Sequence, residues 1–143
     1  MHMNIEWESV DIFERQRGAV AAFRAARDFM IDYISLIRSA LPEISLIGLA
    51  IAKQFRDGAV GSEELIHARV ECWKYLKTHS ADLDATTPEY CAVRAVICIL
   101  YDGPVDGGDA GDLVDLFLQM ANCVEDHSDS ISALLDKHFP RHR

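Results

Sequence analysis

The sequence predicts an all-α protein: one compact bundle of about six helices, with residues 1–143 forming a single domain. Three observations predict it. Apolar residues recur at spacings of three, four and seven along most of the chain, which is the period of one helix face. No segment keeps the period-two alternation of a half-buried strand. The apolar stretches are punctuated by residues that start or stop helices, among them Pro42, Gly58, Thr87-Pro88, Asp109 and Pro140. Half of the 143 residues are apolar and 26% are charged, so the chain can bury a real core.

Each element has its own signal. A first short helix is expected over about Val10 to Gln16. The longest amphipathic segment follows, with Val20, Phe23, Met30, Tyr33, Ile34, Ile37 and Leu41 on one stripe and Arg24, Arg27, Asp28 and Arg38 largely outside it. Pro42 stops that helix or opens the next. The segment 43–57 ends with Lys53 and Arg56 near its C-terminus and Gly58 just beyond. Ser62 reads as the N-cap of a helix running to about His79, with Glu63 and Glu64 in its first turn and Ile66, Val70, Trp73 and Leu76 as core candidates.

After a polar loop, Thr87-Pro88-Glu89 is a strong helix start: a capping hydroxyl, proline at the first helical position, an acid in the first turn. The helix expected over Pro88–Tyr101 is apolar nearly all round, which predicts the central buried helix. The Gly-rich acidic loop DGPVDGGDAGD follows, and Asp109 is the expected cap of a helix from about Ala110 to Glu125. Leu113, Leu116, Phe117, Met120 and Val124 form its apolar face. Asp112, Asp115, Gln119, Asn122 and Asp126 step by three and four along the other. A last helix is expected from about Ser130 to His138.

Charge is the most uneven property of the chain. Its net charge is −9. Residues 80–136 hold the acids Asp82, Asp84, Glu89, Asp102, Asp106, Asp109, Asp112, Asp115, Glu125, Asp126, Asp129 and Asp136, against Arg94 as the one base. Residues 1–79 are nearly balanced. Such a field attracts cationic partners and repels nucleic acid. No apolar run is long enough to span a bilayer. The first residues carry neither a basic nor an apolar leader pattern, so the expected address is the cytoplasm, without membrane contact. Cys72, Cys91, Cys98 and Cys123 fall in apolar-periodic segments and read as buried thiols.

No motif for catalysis stands out, and the expectation is a protein that is not an enzyme and holds no cofactor and no metal. Aligned as a calcium loop, the segment from Asp102 has Pro104 and Leu113 at ligand positions. Glu64 and His67, with Glu71 one turn on, have the spacing of a di-iron helix, but no second such pair exists. Gly58 and Gly61 lack the lysine and the strand of a phosphate loop. Cys72 beside Trp73 reads as packing rather than as a nucleophile. Arg94 is the one charge in an apolar helix. If buried, it needs a carboxylate, with Glu71 and Asp82 nearest in sequence.

The segments ARVECWKYLKTHS and PEYCAVRAVICILYDG, in a small, acidic, all-helical chain, resemble the bacterial immunity proteins of polymorphic toxin and contact-dependent growth inhibition systems. The likeness is one of type and carries over no family residue. It implies a non-catalytic module that neutralises a basic toxin domain, such as a nuclease, by occupying a groove built for phosphates. The residues expected to face that partner are Asp102, Asp106, Asp109, Asp112, Asp115, Gln119, Asn122 and Asp126. The alternatives are a small helical enzyme or ligand-binding bundle, or a regulatory adapter subunit. The oligomeric state stays open.

Overall fold

The computed structural model describes residues 4–79, 87–104 and 109–140. Over these residues the chain forms seven α-helices and no strand. They are α1 (Asn4–Arg17), α2 (Ala19–Leu36), α3 (Glu43–Arg56), α4 (Ser62–Thr78), α5 (Pro88–Cys98), α6 (Ala110–Val124) and α7 (Ile131–His138). Single 3-10 turns lie at Arg38–Ala40 and Ser128–Ser130. The count is seven rather than about six, and the first helix is a full one rather than a short piece over Val10 to Gln16. Nothing between Asn4 and Val10 breaks a helix, whereas Gly18 does.

Gly18 sits at φ 92, a conformation that side chains with a Cβ rarely adopt. Its N–H closes α1 on Glu14 O at 2.8 Å, and its carbonyl accepts the N–H of Ala22 at 3.0 Å to open α2. The two helices therefore turn about a single residue. Thr87 caps α5 by accepting the Tyr90 N–H at 3.4 Å, with Pro88 at the first helical position. Ser62 is not a cap but the first residue of α4. Gly61 takes the cap position, and the Glu64 carboxylate reaches back to its N–H at 3.2 Å.

One continuous core runs through the helices. Tyr33 and Phe29 of α2, Phe117 of α6 and Phe139 after α7 are fully buried. Tyr33 meets Phe117 edge-on at 5.9 Å, and Phe13 meets Phe139 in the same way at 5.3 Å. The helix α5 buries Cys91, Ala92, Val93, Ala95, Val96, Ile97 and Cys98, and packs against α3, α4 and, most extensively, α6. It ends at Cys98, earlier than the expected Tyr101. Ile99 and Leu100 remain buried in the turn that follows. Arg69 of α4 satisfies that turn by donating to Leu100 O at 2.8 Å, while its guanidinium lies 4.4 Å over the Tyr101 ring.

Several side chains lie on other faces than their spacing suggests. The core face of α4 is Leu65, Ala68, Cys72 and Leu76, whereas Ile66 and Val70 are 46% and 43% exposed. The small Ala68 and Cys72 let α3 and α5 come close on this side, which the larger Ile66 and Val70 would prevent. Val20 is likewise exposed at the start of α2. Arg27, expected outside the stripe, is buried to 7% exposure, its guanidinium 5.2 Å over the Phe55 ring and 5.9 Å over Phe23. Its aliphatic stem fills core space while two ring faces stabilise the charge. Cys123 is exposed, whereas Cys72, Cys91 and Cys98 are buried.

Candidate functional site

The N-terminal end of α6 is built by three carboxylates. Asp109 accepts the Asp112 N–H at 2.8 Å, as its cap position requires. Glu14 of α1 accepts the Ala110 N–H at 3.1 Å. The carboxylate of Asp11 approaches Gly111, so that a Cβ there would meet its oxygen at 3.4 Å. The unsatisfied N–H groups and the positive end of the helix dipole hold this much negative charge at one place.

From that end α6 carries Asp112, Asp115, Gln119 and Asn122 along its length. It ends at Val124, short of the expected Glu125, and Glu125 is extended, so Asp126 lies beyond the helix rather than on its stripe. Asp112, Gln119 and Asp126 are exposed, and Asp115 and Asn122 are half-buried. Gln119 donates to Asp115 at 3.0 Å. Asp126 accepts the Ser128 N–H at 2.8 Å and the Ser128 hydroxyl, which holds its carboxyl below the usual range. Asn122 turns inward: its side-chain oxygen accepts the hydroxyl of the fully buried Tyr33, which also accepts the His127 N–H at 3.2 Å. Burial pushes the Tyr33 hydroxyl up to about 12, so it remains a donor. Asp102 is exposed, and Asp106 lies outside the described residues.

Among the described residues, ion pairs within 4.0 Å join Arg56 with Asp57, Lys74 with Glu71, His127 with Glu125, and Lys137 and His138 with Asp32. None uses Asp102, Asp109, Asp112, Asp115 or Asp126. The cations near them lie beyond ion-pair distance: Arg94 shares a cavity wall with Asp109 and Asp112, and Arg27 lies within electrostatic reach of Asp102.

The apolar side of α6 is turned from its expected setting. The buried residues are Ala110, Val114, Phe117, Leu118 and Ala121, with Leu113, Met120 and Val124 half-buried. Leu116 is 39% exposed. The small Ala110 and Ala121 face the neighbouring helices and set the rotation. Leu113 and Leu116 are thereby freed to line a cavity of about 250 Å³ with Phe23, Trp73, Arg94 and Tyr101, and with Asp109 and Asp112 of the acidic end. This volume is below the ~300–1,000 Å³ of typical small-molecule sites. The Arg94 guanidinium lies 5.3 Å over the Trp73 ring and is half-buried. It has no carboxylate within 4.0 Å among the described residues: Glu71 pairs with Lys74 at 3.4 Å, and Asp82 lies outside the described residues. Among the described residues it is the Trp73 ring face that meets this charge. A second cation within about 4 Å of Arg94 would meet roughly 4 kcal/mol of repulsion at the effective dielectric of such a site.

Glu64, His67 and Glu71 lie together along α4, facing Ile44, Ile47 and Ile51 of α3 across a groove. Glu64 and Glu71 are engaged with Gly61 and Lys74, and no cluster of three or more His, Cys, Asp or Glu side chains suited to a metal ion occurs among the described residues. Burial pushes the Cys72 thiol up to about 12, which makes it a poor nucleophile. No helix among the described residues is long and apolar enough to cross a membrane. The pairing of Glu14 with Ala110, the inward turn of Asn122 and the cavity behind Leu113 have no local sequence signal. Trp73 and Arg94, each conspicuous in the sequence, meet there. No protein family matches the chain, and no curated protein or solved structure matches it.

Proposed function

We propose that the protein is a non-catalytic binding module whose acidic α6 surface receives a basic protein partner, in the manner of an immunity protein that neutralises a toxin domain. One observation carries this reading: none of Asp102, Asp109, Asp112, Asp115 and Asp126, all exposed or half-buried, has an ion-pair partner among the described residues. A solvated acidic face that served folding alone would gain from ion-paired cations, and among the described residues these five carboxylates have none within 4.0 Å. The helix is held rigid by Val114, Phe117 and Leu118, so presenting the face needs little ordering on binding. Charge complementarity then sets the rate of encounter, and a nuclease groove shaped for phosphates would accept carboxylates in their place.

The test is affinity capture from the source cell with two baits, the wild type and the Asp112→Lys, Asp115→Lys double variant. The reading expects the wild type to retain a protein of high isoelectric point that the variant loses. Retention of the same protein by both baits, or of an acidic one, contradicts it.

A further inference from the structure

We infer that the cavity beside α6 is an anchor pocket, receiving one aromatic side chain of the partner whose neighbouring residues are basic. This inference rests on the proposed acidic-face function and adds the chemistry of the contact. The floor and walls are apolar: Phe23, Trp73, Tyr101, Leu113 and Leu116. The volume of about 250 Å³ suits one large side chain rather than a substrate with its own polar groups. Arg94 in the wall selects the occupant. Its charge excludes a lysine or arginine tip, while its planar face beside the Trp73 ring favours an aromatic one. Asp109 and Asp112 line the same cavity and are exposed, so cations on either side of the anchor meet carboxylates. An aromatic residue surrounded by a charged rim is the usual anatomy of an interface hot spot.

Isothermal titration with three synthetic pentapeptides tests this: Lys-Lys-Phe-Lys-Lys, Lys-Lys-Ala-Lys-Lys and Gln-Gln-Phe-Gln-Gln, with blocked ends. The first should bind roughly ten- to hundred-fold more tightly than the second, the ratio for burying one phenylalanine side chain. Leu116→Trp, which fills the cavity from its rim, should erase that preference and leave the salt dependence. Asp112→Lys should do the reverse. Thermal melting of both variants confirms the fold. Equal binding of the first two peptides overturns the pocket and leaves the acidic-face reading standing. Equal binding of the first and third keeps the pocket and overturns the acidic-face reading. Absence of binding by all three at millimolar concentration overturns the pocket.

A different observation carries a second proposal. We propose that Cys91 and Cys123 form a reversible disulfide between α5 and α6. Their sulfurs lie 2.7 Å apart, Cys123 is exposed, and Cys91 is buried behind it. With glutathione disulfide as oxidant, the Cys123 thiolate attacks one glutathione sulfur and releases one glutathione. Cys91 gives up its proton and attacks the Cys123 sulfur of the mixed disulfide, releasing the second. Two protein thiols are oxidised and one glutathione disulfide becomes two thiols, so protons and electrons balance. Burial and the Cys123 contact push the Cys91 thiol up to about 12, so the second step should quicken as pH rises. Incubation with glutathione disulfide should remove two of the four thiols in a colorimetric count on unfolded protein and raise the melting temperature. Cys123→Ser should abolish both changes, and Cys98→Ser neither. A stable mixed disulfide on Cys123, or four thiols still titrating, overturns the proposal.

Discussion

The Glu14 carboxylate and the Ala110 N–H, 96 positions apart in the chain, meet at 3.1 Å and tie α1 to the start of α6. The bond satisfies one of the N–H groups that every helix leaves open at its first turn. Glu14→Ala should lower stability by about 1 kcal/mol, the usual loss of a helix cap. Glu14→Gln, which keeps an acceptor, should lose less. Urea melts read both values. Equal losses for the two variants would show that the charge, not the hydrogen bond, matters at this position.

Gly48 packs where α3 crosses α5. A Cβ added there would come within 2.5 Å of Val96 Cγ1. Gly48→Ala gains up to ~1 kcal/mol of helix propensity. The overpacking it causes costs about 1–3 kcal/mol, so a net loss is expected. Val96→Ala should be destabilising alone and should recover part of the loss in the double variant, a coupling visible in a double-mutant cycle. Strict additivity would show that Val96 does not carry the cost of the added Cβ.

Arg27 is buried without an ion pair among the described residues, and its Nε has no hydrogen-bond partner. Burial draws its pKa below the ordinary value. Methionine matches the stem and carries no charge to desolvate. Arg27→Met should therefore change stability by less than about 1 kcal/mol, whereas Arg27→Ala should cost ~2 kcal/mol or more through lost packing. A loss for Arg27→Met as large as that for Arg27→Ala would assign the stabilisation to the charge over Phe23 and Phe55.

Asp32 of α2 is bonded by Lys137 at 2.9 Å and by His138 at 2.7 Å, which fastens α7 to the bundle. Burial alone would raise its pKa, but the hydrogen bonds and charges of these two partners outweigh it and set the folded value below the ordinary 3.8. The sign follows from linkage: a carboxyl with a depressed folded pKa contributes its stability in full above the unfolded value and loses it as pH falls through the folded one. Melting temperature should therefore drop below about pH 4 more steeply for the wild type than for Asp32→Asn. Parallel pH profiles for the two proteins would remove Asp32 from the account.

What the sequence made legible is what depends on near neighbours. Asp109 and Thr87-Pro88 were readable as helix starts because a cap bonds within three residues. The acidic residues of α6 were readable from their spacing, and Asp112 and Gln119 stay outward as expected. Facing was less legible where a helix has two apolar rows. On α4, Ile66 and Val70 compete with Leu65, Ala68, Cys72 and Leu76, and only tertiary packing prefers the row with small residues. Arg27 and Arg94 lie against aromatic faces that sequence spacing does not reveal. Asn122 steps in register with the acids, yet its partner Tyr33 is 89 positions away. The cavity appears only once α6 is rotated so that Leu113 and Leu116 leave the centre of its buried face.

The most direct measurement is the association rate of the captured native partner with the wild type and with Asp112→Lys, Asp115→Lys, across a range of salt concentrations. Removal of an attractive field should slow association by ten-fold or more at low salt. The wild-type rate should fall steeply as salt shortens the screening length from about 30 Å at 0.01 M to about 8 Å at 0.15 M. The variant's rate should be nearly flat or rise, while its melting should stay cooperative with only the small loss expected for a cation in the first turn of α6. Equal rates for the two proteins, with the same salt response, would contradict an acidic face built for a basic partner.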